Sequence, residues 1–258
     1  MVFLVLLLVI FYPFNIASAT THYDAFYLTL RWPPSFCKLY SCNTPYIEDR
    51  FTLHGLWPIT LNGKSPNYKK CKKIPFNANQ LIHSEIIDDL NNLWPVLETT
   101  KTNIKFWKHE WERHGVCTTW EQFRYFQTSV ERVKHTHTLE MLKGSDIIPN
   151  NSVYKIVDIM QALSGLSRPI IECKKIKKDA HPMLYQVYFC LTQNGEQFQD
   201  CPPMAPHGQL GYGCDTAEVV IFPSTEEEVI LPSTAISSQF SWKLYLITCT
   251  IFNVIIYF

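Results

Sequence analysis

Two short stretches of this 258-residue chain carry side chains able to move protons. Residues 106–117, FWKHEWERHGVC, bring His109, Glu110, Arg113 and His114 together among aromatics. Read as a helix, the stretch stacks side chains three and four apart. His109 then lies over Arg113, and Glu110 lies over His114 and beside Arg113. Gly115 is where such a helix is expected to stop. Residues 51–58, FTLHGLWP, alternate instead, which predicts a strand. Phe51 and Leu53 share its apolar face, and His54 takes the other, close to Gly55 and Trp57. Paired imidazoles suit acid–base work because each ionises at about pH 6.5. The rival chemistry is zinc hydrolysis, since His109-Glu110 opens like HExxH, whose histidines share one helical face. His109 and His114 are one residue further apart, about 140° around a helix. They cannot grip one metal in that manner.

The two stretches, in this order and at this separation, closely resemble the active-site segments of the T2 family of secreted ribonucleases. Plant members are the nearest, both the S-RNases of self-incompatibility and their S-like relatives. The resemblance covers residues 23–223, cysteine placement included. It implies an α+β fold with a central, mostly antiparallel sheet packed by several helices and stapled by disulfides. It implies metal-independent endonucleolytic cleavage of single-stranded RNA, with no cofactor. The 2′-hydroxyl attacks its own phosphodiester to give a 2′,3′-cyclic phosphate, which water opens to a 3′-phosphate. By the same resemblance His114 is the general base and His54 the general acid of the transfer step, and they exchange roles in hydrolysis. Protonated His109 binds phosphate, while Glu110 and Arg113 orient and stabilise charge at the non-bridging oxygens. Trp57 and Phe106 frame a base by stacking, and Val96 and Leu97 meet RNA through their backbone. Two positions depart from the family. Arg113 stands where lysine is usual, and Arg31 stands where a glutamine usually helps hold RNA.

Nine cysteines are present, eight in the body and Cys249 near the end. No CxxC pair occurs, which argues against a zinc ribbon or a thioredoxin-like site. An even set behind a signal peptide reads as four disulfides in an oxidising compartment. Spacing does not choose among the pairings; the resemblance implies Cys37–Cys42, Cys71–Cys117, Cys173–Cys214 and Cys190–Cys201.

Three segments are expected: a signal peptide at 1–19, a ribonuclease-like domain at 20–223 and a C-terminal extension at 224–258. The leader has an apolar run ending in Ala17-Ser18-Ala19, a small-x-small cleavage pattern. The extension is polar and acidic, then apolar over residues 244–258, short for a membrane span. It reads as a lipid-anchor signal, a vacuolar sorting propeptide or a loosely inserted tail. Removal or membrane contact is expected. The destination implied is the secretory pathway and the cell exterior, with the vacuole or membrane attachment as alternatives. Dropping Glu226, Glu227, Glu228 and Lys243 leaves 22 basic and 20 acidic side chains in residues 20–223, a net of +2. That is too little to argue nucleic-acid binding from charge. The lysines at 69, 70, 72 and 73, and at 174, 175, 177 and 178, read as solvated loops.

Apolar spacing predicts helices over 79–94, 119–142 and 153–163. It predicts strands over 23–32, 170–173, 183–191 and 219–222. Their segregation argues α+β. His135 and His137 are expected at a helix carboxyl end. Asn150 heads an Asn-Asn-Ser sequon and is the expected glycan site. A monomer is expected, and residues 62–67 are a candidate surface for pollen-side proteins if the chain is an S-RNase. An S-like ribonuclease would serve phosphate recovery or defence. A catalytically dead binding protein is disfavoured by the presence of His54, His109, Glu110 and His114 together.

Overall fold

The structure, a computed structural model, describes residues 22–42, 48–177, 181–204, 211–214 and 217–225. The expected leader, the apolar tail and Cys249 lie outside them. The first strand, β1 (Ala25–Arg31), ends where Pro33 opens a one-turn helix, α1 (Pro33–Cys37). Proline suits that position because a helix's first amide has no internal partner. β2 (Thr52–Ile59) carries the first histidine. The helices α2 (Ala78–Ile82), α3 (Ile87–Leu93), α4 (Asn103–Arg113), α5 (Gln122–Lys134) and α6 (Thr138–Lys143) follow. Next come β3 (Val153–Lys155), α7 (Ile156–Leu163), β4 (Ile170–Lys174), β5 (Met183–Thr192), β6 (Phe198–Gln199), α8 (Gly211–Cys214) and β7 (Val219–Ile221).

Among the described residues the strands form one sheet. It is antiparallel except where Met183 of β5 meets Ile221 of β7. β5 is the spine, with β1 along one side and β4 and β6 along the other, and β2 lies outside β1. One face builds the main core. There Phe26, Leu28, Leu30, Leu53, Leu56 and Phe189 pack with Trp94, Trp107, Trp111 and Phe126 from the helices. The other face holds a smaller cluster around Tyr27, Tyr188 and the Cys190–Cys201 disulfide. The architecture is the α+β class expected. All four disulfides that the resemblance implied are formed.

Helix boundaries differ from the pattern for local reasons. Residues 79–94 make two helices, because the Ser84 hydroxyl takes the Leu81 carbonyl at 2.7 Å and ends α2. Residues 119–142 become helical only at Gln122 and break after Lys134. His135 Nδ1 donates to the Glu131 carbonyl at 2.7 Å, so it does serve the helix end. His137 does not: it sits in the left-handed region at φ 43° and turns the chain into α6. Residues 153–155 are strand rather than helix, since they pair with β7. Asn150 is exposed in a turn, its Oδ1 accepting from the Ser152 amide at 3.0 Å.

Candidate active site

His54 owes its position to a fault in strand pairing. β1 and β2 match in step until Thr29 meets Gly55, and the next pair is Leu30 with Leu53. His54 is therefore the extra residue of a β-bulge, which re-aims a side chain. Strand alternation reverses across it. Leu53 and Leu56 both reach the main core, while Trp57 packs on the opposite face. The His54 carbonyl accepts from the Trp94 indole at 2.9 Å.

Cross-strand register then sets a polar row beside the imidazole. Arg31 lies opposite Gln186, and Gln186 lies opposite Glu172. Glu172 Oε2 accepts from Gln186 Nε2 at 2.7 Å and from the Tyr188 hydroxyl, and Lys174 Nζ lies 3.1 Å from Oε1. With its amide nitrogen committed, Gln186 turns Oε1 to His54 Nδ1 at 2.5 Å. A carbonyl oxygen can only accept, so Nδ1 carries the hydrogen and Nε2 keeps its lone pair. Arg31 Nη2 donates to that lone pair at 2.6 Å. Its guanidinium also lies over Phe36, 4.4 Å from the ring centroid. Burial pushes the His54 pKa well below the ordinary value; the Arg31 charge adds to this and the Gln186 bond opposes it.

The second set comes from α4. The Thr102 hydroxyl caps it by accepting from the Lys105 amide at 3.4 Å. Trp107 and Trp111 go to the core. Glu110 faces inward as well and is 2% exposed. The last helical residue is Arg113, and Gly115 follows the cap, where a terminating glycine is expected. His114 becomes its cap, and Gly115–Cys117 form a tighter turn held to Cys71 by disulfide. Glu110 Oε2 accepts from Trp57 Nε1 at 3.0 Å and lies 4.0 Å from His114 Nε2. A Cβ on Gly55 would meet both of those Glu110 and Trp57 atoms at 2.3 Å, so only glycine fits beneath the pair. Burial pushes Glu110 up to about 7 against the Trp57 bond and the charges of Arg31 and Arg113. Burial, with help from His109 and Arg113, pushes His114 down to about 3. His109 is lowered by burial first, then by Arg113 and Lys101.

A cavity of about 320 Å³ gathers Arg31, His54, Val96, Leu97, Phe106 and His109, with Glu110, Lys101 and Lys105 also on its wall. Phe106 stacks parallel to His54, ring centroids 6.1 Å apart. The Val96 amide is already committed to Asn103 Oδ1 at 2.8 Å. Three expected members, Trp57, His114 and Arg113, are not on that wall. His114 is reached across Trp57, whose face stacks on it at 5.1 Å while its edge meets His54 at 4.9 Å. His114 thus covers one face of the indole. Arg113 is exposed and lies over the Tyr68 ring, 3.8 Å from its centroid. That cation–π contact holds it away from the cavity. Gln186, Glu172 and Tyr188 were not singled out by sequence. The available signal was one glutamine inside the apolar run MLYQVYFCL. Among the described residues no three His, Cys, Asp or Glu side chains are placed to hold a metal ion.

The sequence model of the Ribonuclease T2 family matches residues 23–201. The chain belongs to this family. It is 34% identical over 194 residues to the intracellular ribonuclease LX of Solanum lycopersicum, covering 72% of this chain and 80% of that one. The fold matches RNase NT solved with 5′-AMP, with a TM-score of 0.67 and 31% identity, over 79% of this chain and 99% of that one. It also matches the self-incompatibility-associated SF11-RNase of Nicotiana alata, with a TM-score of 0.66 and 27% identity, over 78% and 100%. As a T2 ribonuclease the chain is an RNA endonuclease.

Proposed function

We propose that this ribonuclease cleaves single-stranded RNA by transphosphorylation to 2′,3′-cyclic phosphates and then hydrolyses them to 3′-phosphates, with His54 and His114 as the proton pair. The supporting observation is their meeting at one indole, Trp57, which is itself tied to Glu110. His114 is neutral near pH 7 and so able to accept the 2′-hydroxyl proton. His54 serves the departing 5′-oxygen. Lys101 and Lys105 supply positive potential around the phosphate, His109, lowered below its ordinary value, offers a hydrogen bond there rather than a charge, and Phe106 offers a ring to a base. Arg113 joins them only by leaving Tyr68. Replacing His54 or His114 by alanine, with single-stranded RNA and no metal, should lower kcat by roughly 10²–10⁴-fold. Near-parental activity in either variant would sink the assignment.

The same reading places the protein in the secretory pathway. Four disulfides suit an oxidising compartment, and Asn150 is open to glycosylation. A mass spectrum of the mature protein reports cleavage near residue 20, the glycan and the fate of the tail together. Higher identity to the tomato intracellular ribonuclease than to the self-incompatibility ribonuclease favours a degradative, S-like role. Style-restricted expression with many alleles would favour self-incompatibility instead.

A further inference from the structure

His54 is held at both ring nitrogens, and the two holds are unlike. Gln186 is fixed by Glu172 and Tyr188 and serves a single tautomer. Arg31 is a permanent cation, and its charge and its hydrogen bond both oppose a proton on Nε2. Acid catalysis by His54 needs a proton at that nitrogen, because the Nδ1 hydrogen is committed to Gln186. Arg31 is also incompletely satisfied, since its Nε is buried without a hydrogen-bond partner. The guanidinium lines the cavity with Lys101 and Lys105. Spare donors on a planar fork, on a wall that also carries Lys105 and the Lys101–Glu98 ion pair, match the oxygens of a phosphodiester.

We propose that Arg31 is a catalytic residue acting as a phosphate-operated latch: it caps Nε2 of His54 in the free enzyme, then moves to a non-bridging phosphate oxygen when RNA binds and releases that nitrogen. This rests on the His54–His114 reading above. Once released beside an anion, Nε2 takes one proton from solvent. His114 then accepts the 2′-hydroxyl proton as the 2′-oxygen bonds to phosphorus. His54 gives its proton to the 5′-oxygen as that oxygen leaves. One proton has passed from His54 to His114 by way of the substrate, and hydrolysis of the cyclic phosphate returns it. Other charged groups face the same imidazole: His109, Glu110 and His114 from α4, Lys101 and Lys105 from the segment before and within it, and Glu172 through Gln186. Among the described residues Arg31 alone is hydrogen-bonded to Nε2.

The test is the titration of His54 by NMR, with inorganic phosphate as the probe, in the parent and in Arg31→Gln. In the parent, saturating phosphate should raise the His54 midpoint by at least about one pH unit, tenfold in proton affinity. In Arg31→Gln the midpoint should already be raised without phosphate, and the added rise on binding should shrink. The alkaline limb of kcat/KM, which reports loss of the His54 proton, should move up with it, while KM for RNA increases severalfold. A phosphate-insensitive His54 in the parent overturns the latch and needs no variant. So does an Arg31→Gln protein in which KM rises but the His54 titration and alkaline limb stay put, for then Arg31 only binds phosphate. The NMR measurement uses no RNA. A parent that shows the latch yet cleaves no RNA without metal would fault the ribonuclease chemistry instead.

Discussion

At the scale of single residues, Gln186 decides which His54 nitrogen can do chemistry. Its oxygen is an acceptor that stabilises the protonated ring, against the downward push of burial and Arg31. Gln186→Leu removes that acceptor while keeping the bulk. A hydrogen bond to a charged group is worth roughly 1.5–3 kcal/mol. The alkaline limb of the kcat profile should therefore move down by about one unit, and kcat should fall at least about tenfold. A pH–rate profile matching the parent's would show that Gln186 merely packs. His54, His109, Glu110 and His114 could be read from sequence because two short segments carry all of them. Gln186 could not, because it lies 132 residues from His54 and only sheet register brings them together. The ring contact of Arg113 is hidden from sequence for a related reason. Its partner, Tyr68, belongs to a separate turn that the Cys71–Cys117 disulfide brings beside the helix end.

Among the elements, the bulge in β2 does what a regular strand cannot. It lets Leu53 and Leu56 share the core although an odd and an even position do not share a face in regular pairing. The alternation of 51–54 gave the right face for His54, but the reversal beyond it is a property of pairing with β1. Gly55 follows the extra residue and leaves room for the Glu110–Trp57 bond. Gly55→Ala should force those atoms apart, lower stability by about 1–3 kcal/mol, as overpacking does, and cut kcat/KM at least about tenfold. Denaturant unfolding and RNA cleavage check the two parts, and a variant equal to the parent in both would mean the backbone yields freely there. Helix content was legible from apolar spacing, but its interruptions were not. The breaks at Ser84 and at 135–137 depend on hydroxyl and imidazole bonds to carbonyls, to which a hydrophobic pattern is blind.

For the whole molecule, buried ionisable groups concentrated at one end of the sheet tie stability to pH. Glu110 is raised to about 7 in the fold, whereas an unfolded carboxyl titrates at about 4.5. Between those values the fold holds a proton that the unfolded chain has lost, so the contribution of Glu110 is full below about 4.5 and is lost as pH rises to 7. His114 and His54 act in the opposite sense, being lowered in the fold from 6.5. Their contribution is full above about 6.5 and is lost on acidification, as the unfolded histidines take protons the folded ones refuse. From pH 6.5 to 4.5 the proton that His114 refuses in the fold and the one that Glu110 keeps there offset each other, and the lowered His54 adds stability that is lost toward acid. Glu110→Gln deletes the single opposing group. Relative to the parent, the variant should gain stability with rising pH by about 1.4 kcal/mol per unit between pH 4.5 and 7, and run parallel above that. Denaturant unfolding of both proteins at four pH values across this range measures the difference directly, and every titration they share cancels. Parallel curves throughout would mean that Glu110 is ionised in the fold at all those pH values, held as a carboxylate by Trp57 and the nearby arginines.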